Sequence, residues 1–138
     1  MPFWQCYYHA IWTTKYREPL ITSAVEEVIF EIIQVKSVEL KCPVLAINGI
    51  PDHIHVAVYI PPRLAAAEWM RHVKGVSSHE INVSFPNAPT HFRWQKHYGL
   101  LTFGVKNLKY VVDYIARQKE HHANNTTIDY LERTDGDD

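Results

Sequence analysis

The chain has 138 residues, 46% of them apolar, with 5 Gly and 8 Pro, a length that suits one compact domain whose core needs neither disulfides nor metal. Two cysteines without metal-ligand spacing point to a reduced, cytoplasmic protein, and an opening Pro2-Phe3-Trp4-Gln5 with no apolar run near ~18 residues excludes export and membrane insertion as expectations. The net charge of −1 argues, taken whole, against a nucleic-acid partner, but residues 1–62 carry 4 basic and 6 acidic side chains, residues 63–119 carry 9 and 3, and residues 120–138 carry 1 and 6.

Trp4 to Thr13 is dense in aromatic and β-branched residues and reads as a first strand, ended by Lys15-Tyr16-Arg17 and Pro19. Ser23 with Glu26 makes a capping-box pattern, and Val25, Val28, Ile29 and Ile32 recur at helical spacing, so a first helix is expected from Ser23 to Leu40. Pro43 stops it. Val44 to Ile50 and His53 to Ile60 are apolar runs joined through Gly49, Pro51 and Asp52, which suits an antiparallel hairpin. After Pro61-Pro62, the spacing of Leu64, Ala67, Met70 or Arg71, and Val73 or Lys74 predicts a second helix to Ser78. Ser84 to Pro89 reads as loop, and Phe92-Arg93-Trp94 and Tyr98 to Phe103 suit strands. A last helix runs from Asn107, as N-cap, to His122, with Leu108, Val111, Val112 and Ile115 as its apolar stripe. Residues 129–138, ending Asp135-Gly136-Asp137-Asp138, read as a flexible acidic tail with no core to join, leaving residues 1–128 as a single domain. The order is βαββαβ plus a C-terminal helix, the α+β ferredoxin-like plan of an antiparallel sheet with helices on one face. That plan hosts many unrelated functions.

His53 and His55, two apart on a strand, aim at one face while Ile54 and Val56 face the core, a geometry that suits chelation of one metal ion with coordination positions left open. On the last helix Tyr114 and Gln118 are four apart and share a face, with His121 and His122 a further turn along. Tyr110, four residues before Tyr114, is an equally placed nucleophile on spacing alone.

Together these residues resemble the single-tyrosine HUH transposases, the TnpA-like enzymes of small insertion sequences and their REP-associated relatives. The likeness runs in order through Trp12-Thr13-Thr14-Lys15-Tyr16-Arg17, Pro51-Asp52-His53-Ile54-His55, Lys74-Gly75-Val76-Ser77-Ser78, Trp94-Gln95, Tyr98-Gly99 and the string from Tyr114 to His122, covering residues 4–122. It implies His53, His55 and Gln118 as metal ligands and Tyr114 as nucleophile, leaving Tyr110 to packing or DNA contact. The implied reaction is metal-dependent cleavage and strand transfer on single-stranded DNA through a 5′-phosphotyrosine, with Mg2+ or Mn2+ as cofactor. Two imidazoles tilt the choice toward manganese, and with no thiolate or third histidine obviously placed, zinc fits less well.

The implied partners are single-stranded DNA with hairpin ends and a second copy of the chain, the tyrosine helix acting across a homodimer with Gly104 permitting the exchange. The basic middle supplies candidate DNA contacts: Lys15, Arg17, Arg63, Arg71, Lys74, Arg93, Lys96, Lys106 and Lys109 for phosphates, and Trp94 and Tyr98 as ring faces for unpaired bases. Two other readings compete. A histidine-triad nucleotide hydrolase needs a third histidine where Ala57 stands, and a domesticated, non-mobile DNA-binding descendant would keep the fold without the reaction.

Overall fold

The computed structural model describes residues 2–135, so Gly136 to Asp138 of the expected tail lie outside the described residues. Strands β1 (Tyr7–Thr13), β2 (Val44–Ile50), β3 (His53–Tyr59) and β4 (Gly99–Phe103) form one antiparallel sheet in the order β2-β3-β1-β4, the ferredoxin-like arrangement. Helices α1 (Ser23–Glu39) and α2 (Ala66–Ser84) pack on one face of it. The other face is covered by α3 (Leu108–Ala116) and α4 (Gln118–Ala123), and a short α5 (Asp129–Glu132) follows.

Alternation along β1 and β3 builds both layers. Ala10 and Trp12 with Ile54, Val56 and Val58 face α1 and α2, where Ile29, Ile33, Trp69, Met70 and Val73 close the main core. Ala57 faces the other way and packs with Val111 and Ile115 of α3. His9, His53 and His55 are buried as well. A polar set therefore lies beneath the C-terminal helices.

Several boundaries differ from the sequence reading, each for a local reason. β1 starts at Tyr7, where its pairing to Tyr59 and to Phe103 begins, and Trp4 is left 47% exposed. The N-cap of α1 is Thr22, whose hydroxyl accepts from the Val25 N–H at 3.3 Å, so the expected cap Ser23 is already helical. α2 starts later, at Ala66, and continues to Ser84 because Ile81 is buried and the Asn82 amide ties the helix to Phe92 N–H and carbonyl. The expected strand Phe92-Arg93-Trp94 shrinks to one bridge, Thr14 to Trp94, since β4 occupies the edge of β1 up to Ile11. The last helix is broken at Arg117 (φ −104, ψ 22), whose exposed guanidinium pairs with Glu120.

The acidic segment is the largest departure. Asp129 to Glu132 form a helical turn, and Leu131 is buried, so this part of the expected tail does join a core. Gly99 admits it: a Cβ there would collide with the Arg133 carbonyl and with Ile11.

The layers are stitched by polar bonds inside the core. Trp69 Nε1 donates to Ser37 Oγ at 3.0 Å and Trp94 Nε1 to Ser77 Oγ at 2.9 Å, while Ser77 Oγ donates to the Val73 carbonyl. Ser77→Ala strands the buried Trp94 N–H, and urea unfolding should show a loss of about 1–3 kcal/mol. An unchanged midpoint would mean that this bond contributes nothing.

Candidate active site

Strand β3 delivers His53 and His55, which are 3% and 0% exposed, and α4 lays Gln118 and His122 over them. α5 completes the cluster with Glu132. Nε2 of His53, of His55 and of His122 each stand 3.2 Å from one oxygen, Glu132 Oε1. The other carboxylate oxygen accepts from the Tyr114 hydroxyl and, at 3.4 Å, from the Gln118 amide. Gln118 Oε1 in turn lies 3.2 Å from His122 Nε2. His53 Nδ1 is fixed by Asp52 at 2.7 Å, and His55 Nδ1 by His9 Nε2 at 2.8 Å.

The electrostatics follow from crowding bases around one anion. Burial lowers His55 to about 4 and His9 to about 3, so both are neutral rings. His53 is buried too, but the Asp52 and Glu132 carboxylates beside it outweigh that and raise it. Glu132 is held well below the usual carboxylate range, because the His53 and His55 imidazoles and the Tyr114 hydroxyl beside it overcome the cost of burial. Tyr114 is pushed up to about 12, by burial and then by Glu132. Its hydroxyl also accepts the Ile128 N–H at 3.0 Å, and its ring stacks on His121.

The donor set fits a divalent metal. Ligand atoms of His53, His55, His122 and Glu132 all lie within 4.8 Å of one another, and the buried His53 Nε2, though 3.2 Å from Glu132 Oε1, is not aligned for a hydrogen bond. Three imidazoles and a carboxylate suit manganese, zinc and their neighbours better than magnesium. The sequence argument against zinc, that no third histidine is placed, therefore falls: His122 is that histidine. Gln118 sits within the cluster, its amide spanning His122 and Glu132.

Of the two candidate tyrosines, Tyr114 is 3% exposed and bonded into the cluster, whereas Tyr110 is 50% exposed and lines a separate cavity with Asn107 and Tyr130. Tyr114 and the histidines meet within a single chain. Position 57 is an alanine packed against α3, so no third histidine of β3 stands in line with His53 and His55.

The basic candidates divide into three groups. Arg71, Lys74, Arg93, Lys96 and Tyr98 line one groove of about 510 Å³ beside α2. Lys74 Nζ there donates to the Gln95 carbonyl at 2.7 Å and lies over the Tyr98 ring. Trp94 borders the same groove, but it is 9% exposed and packed edge-on against Trp12 and Phe92, so most of its ring belongs to the core. Arg17 lines a cleft of about 450 Å³ with His53, His122 and Glu132, next to Lys15 on a turn where Tyr16 and Arg17 both have positive φ. Lys106 and Lys109 are exposed at the start of α3 and line neither groove nor cleft, and Arg63 donates to the Leu40 carbonyl.

Sequence reasoning missed His122 and Glu132 as cluster members. His122 had a signal, since Tyr114, Gln118 and His122 recur every four residues. Glu132 had none.

Acid should weaken the metal-free fold. His55 and His9 titrate below the 6.5 of an unfolded imidazole, so as pH falls through 6.5 the unfolded chain takes up protons that the folded chain refuses. The depressed Glu132 adds stability that is present above 4.5 and lost further down, whereas the raised His53 opposes both, its share being lost as pH rises. Unfolding in chelator should show a net fall of about 2 kcal/mol or more between about pH 7 and 4.5. A flat profile would contradict neutral burial of the two rings.

Residues 2–118 match the family model described as transposase, IS200 like. The transposase for insertion sequence element IS200 of Salmonella typhimurium is 30% identical over 125 residues, covering 85% of this chain and 79% of that protein. The ISDra2 transposase TnpA of Deinococcus radiodurans is 24% identical over 121 residues, covering 85% and 86%. Among solved structures, a transposase from Deinococcus radiodurans aligns with TM-score 0.69 at 23% identity, over 86% of this chain and 95% of that one. A REP-associated tyrosine transposase bound to a REP hairpin aligns with TM-score 0.65 at 15% identity, over 92% and 76%. His122 and Glu132 fall just beyond the matched stretch, but β1 through Gln118 lie inside it, and the chain belongs to the IS200-like transposases, a family of DNA-cleaving enzymes.

Proposed function

We propose that this transposase cleaves and rejoins single-stranded DNA through a covalent bond to Tyr114, next to a divalent metal held by His53, His55, His122 and Glu132 with Gln118 alongside. The observation that carries this reading is the meeting of Tyr114 with the imidazole cluster in one buried site, bridged by a single carboxylate. Tyr114 Oη attacks the scissile phosphorus, the bond to the 3′-oxygen breaks, and a 5′-phosphotyrosine and a 3′-hydroxyl result. Reversal by a different 3′-hydroxyl joins strands without an external energy source, because the phosphodiester is conserved as the tyrosyl ester. A bound divalent ion supplies charge neutralisation at the phosphate oxygens. The donors favour a transition ion such as manganese or zinc over magnesium.

As the side chains stand, the Tyr114 hydroxyl is enclosed between Ile128 N–H and Glu132, and its raised pKa keeps it a phenol. DNA reaches it only after the segment from Ile128 to Glu132 has moved. A hairpin end suits the groove lined by Arg71, Lys74, Arg93, Lys96 and Tyr98, where cations meet phosphates and a tyrosine ring is partly open for stacking. The work is placed in the cytoplasm, which suits the free Cys6 and Cys42, and no helix of the described residues is long and apolar enough to cross a membrane. Cleavage in cis needs one chain, since nucleophile and ligands already meet. A homodimer remains the proposed assembly for coordinating two ends.

Incubation with labelled hairpin-bearing single-stranded DNA and Mn2+ should give a covalent adduct on a denaturing gel with the wild type and none with Tyr114→Phe. His55→Ala should abolish the adduct while retaining most DNA binding. Adduct formation by Tyr114→Phe at the wild-type level would overturn the assignment. For the groove, Arg71→Ala with Arg93→Ala should lower the slope of log affinity against log salt by about 1.4 to 1.8 for the pair. An unchanged slope would move the hairpin elsewhere.

A further inference from the structure

His9 is 1% exposed at the middle of the central strand, opposite Ala57 on one side and Leu101 on the other. An apolar residue would be the ordinary occupant there. Instead an imidazole is buried with one nitrogen, Nδ1, unpartnered, and its other nitrogen, Nε2, is 2.8 Å from His55 Nδ1. We infer that His9 is a positioning residue for the metal centre: by accepting a hydrogen bond from His55 Nδ1, it presents His55 Nε2 to the ion as a free lone pair. This rests on the metal-site reading above.

The argument is one of proton count. A neutral imidazole carries one N–H, and the nitrogen that ligates a metal must carry none. Without metal, His55 Nε2–H donates to Glu132 Oε1 at 3.2 Å, so His55 Nδ1 is a lone pair and accepts from His9 Nε2–H. With the ion on His55 Nε2, the His55 proton must sit on Nδ1. It then needs an acceptor, and His9 Nε2 is the only hydrogen-bond partner of His55 Nδ1 among the described residues. His9 accepts only if its own proton is on Nδ1. Each ring thus shifts one proton from Nε2 to Nδ1, and the pair keeps two protons throughout. His53 has the same need met differently: its Nδ1–H donates to the Asp52 carboxylate at 2.7 Å, leaving Nε2 for the ion. His9 does for His55 what Asp52 does for His53, without adding a third carboxylate to the Asp52 and Glu132 already at the site.

The test compares wild type, His9→Gln, His9→Leu and His55→Ala for Mn2+ affinity, read from the electron paramagnetic resonance of free ion. Gln places an acceptor oxygen near the position of His9 Nε2, and Leu fills the space without one. We expect His9→Gln to bind within about threefold of wild type and His9→Leu to bind about 10–100-fold more weakly. Metal-free His9→Leu should melt no lower than wild type, which separates the loss from unfolding. In wild-type protein, imidazole nitrogen spectra with diamagnetic Zn2+ should show the protons of His55 and His9 on Nδ1 when loaded and on Nε2 when free. Wild-type affinity in a folded His9→Leu, equal loss in His9→Gln, or a His55 Nδ1 that stays unprotonated on loading would each overturn the proposal. If wild type binds Mn2+ no better than His55→Ala, the metal-site reading itself fails and takes this one with it.

Discussion

Strand β3 is buried on both faces, and its two-residue period decides what each face becomes. Ile54, Val56 and Val58 give one face to the apolar core under α1 and α2. His53, His55 and Ala57 give the other to α3 and α4. Register leaves no compromise, because a one-residue slip would drive two imidazoles into the tryptophan core and two branched aliphatics into the polar site. Gly49 opposite Ile54 helps fix that register, since a Cβ there would collide with the His53 carbonyl. The rigid apolar layer is thus what gives the polar layer its geometry.

Within the polar layer a single carboxylate organises everything else. Glu132 brings one oxygen to 3.2 Å from each of three imidazoles and holds the nucleophile's proton with the other. A half-buried anion of this kind is stabilised by its bonds to the imidazoles and Tyr114, and α5, four residues long, is held in place for them by Leu131 and by the close approach of Arg133 to Gly99. The site is therefore assembled from sequence positions 9, 52 to 55, 114 to 122 and 128 to 132, and only the last group belongs to the chain's acidic end.

How much of this could be read in advance depended on periodicity. The β2–β3 hairpin, the two core helices and the opposed faces of β3 follow from local patterns of apolar residues, and so did the pairing of His53 with His55. Tyr114 and Gln118 were legible through the motif they share. Glu132 was not, because a lone acidic residue among Asp and Thr carries the composition of a solvated end, and only the shape of Gly99 and the burial of Leu131 reveal that the segment returns to the sheet. Trp94 was legible only in part: an aromatic among cations resembles a stacking platform, and it does border the groove, but most of its ring is packed in the core and its indole N–H already has Ser77. The break at Arg117 leaves no mark in the sequence that helix propensity would detect.

The sheet also separates the protein's chromophores. Trp12, Trp69 and Trp94 all lie on the α1–α2 side, two of them edge-on to the third, and Trp4 is at the exposed N-terminal end. Among the described residues no tryptophan ring packs on His9, His53, His55 or His122. Most of the indole emission therefore reports the packing of the apolar layer, with Trp4 adding a solvent-exposed background, so loosening of that layer can be followed apart from local change at the histidines.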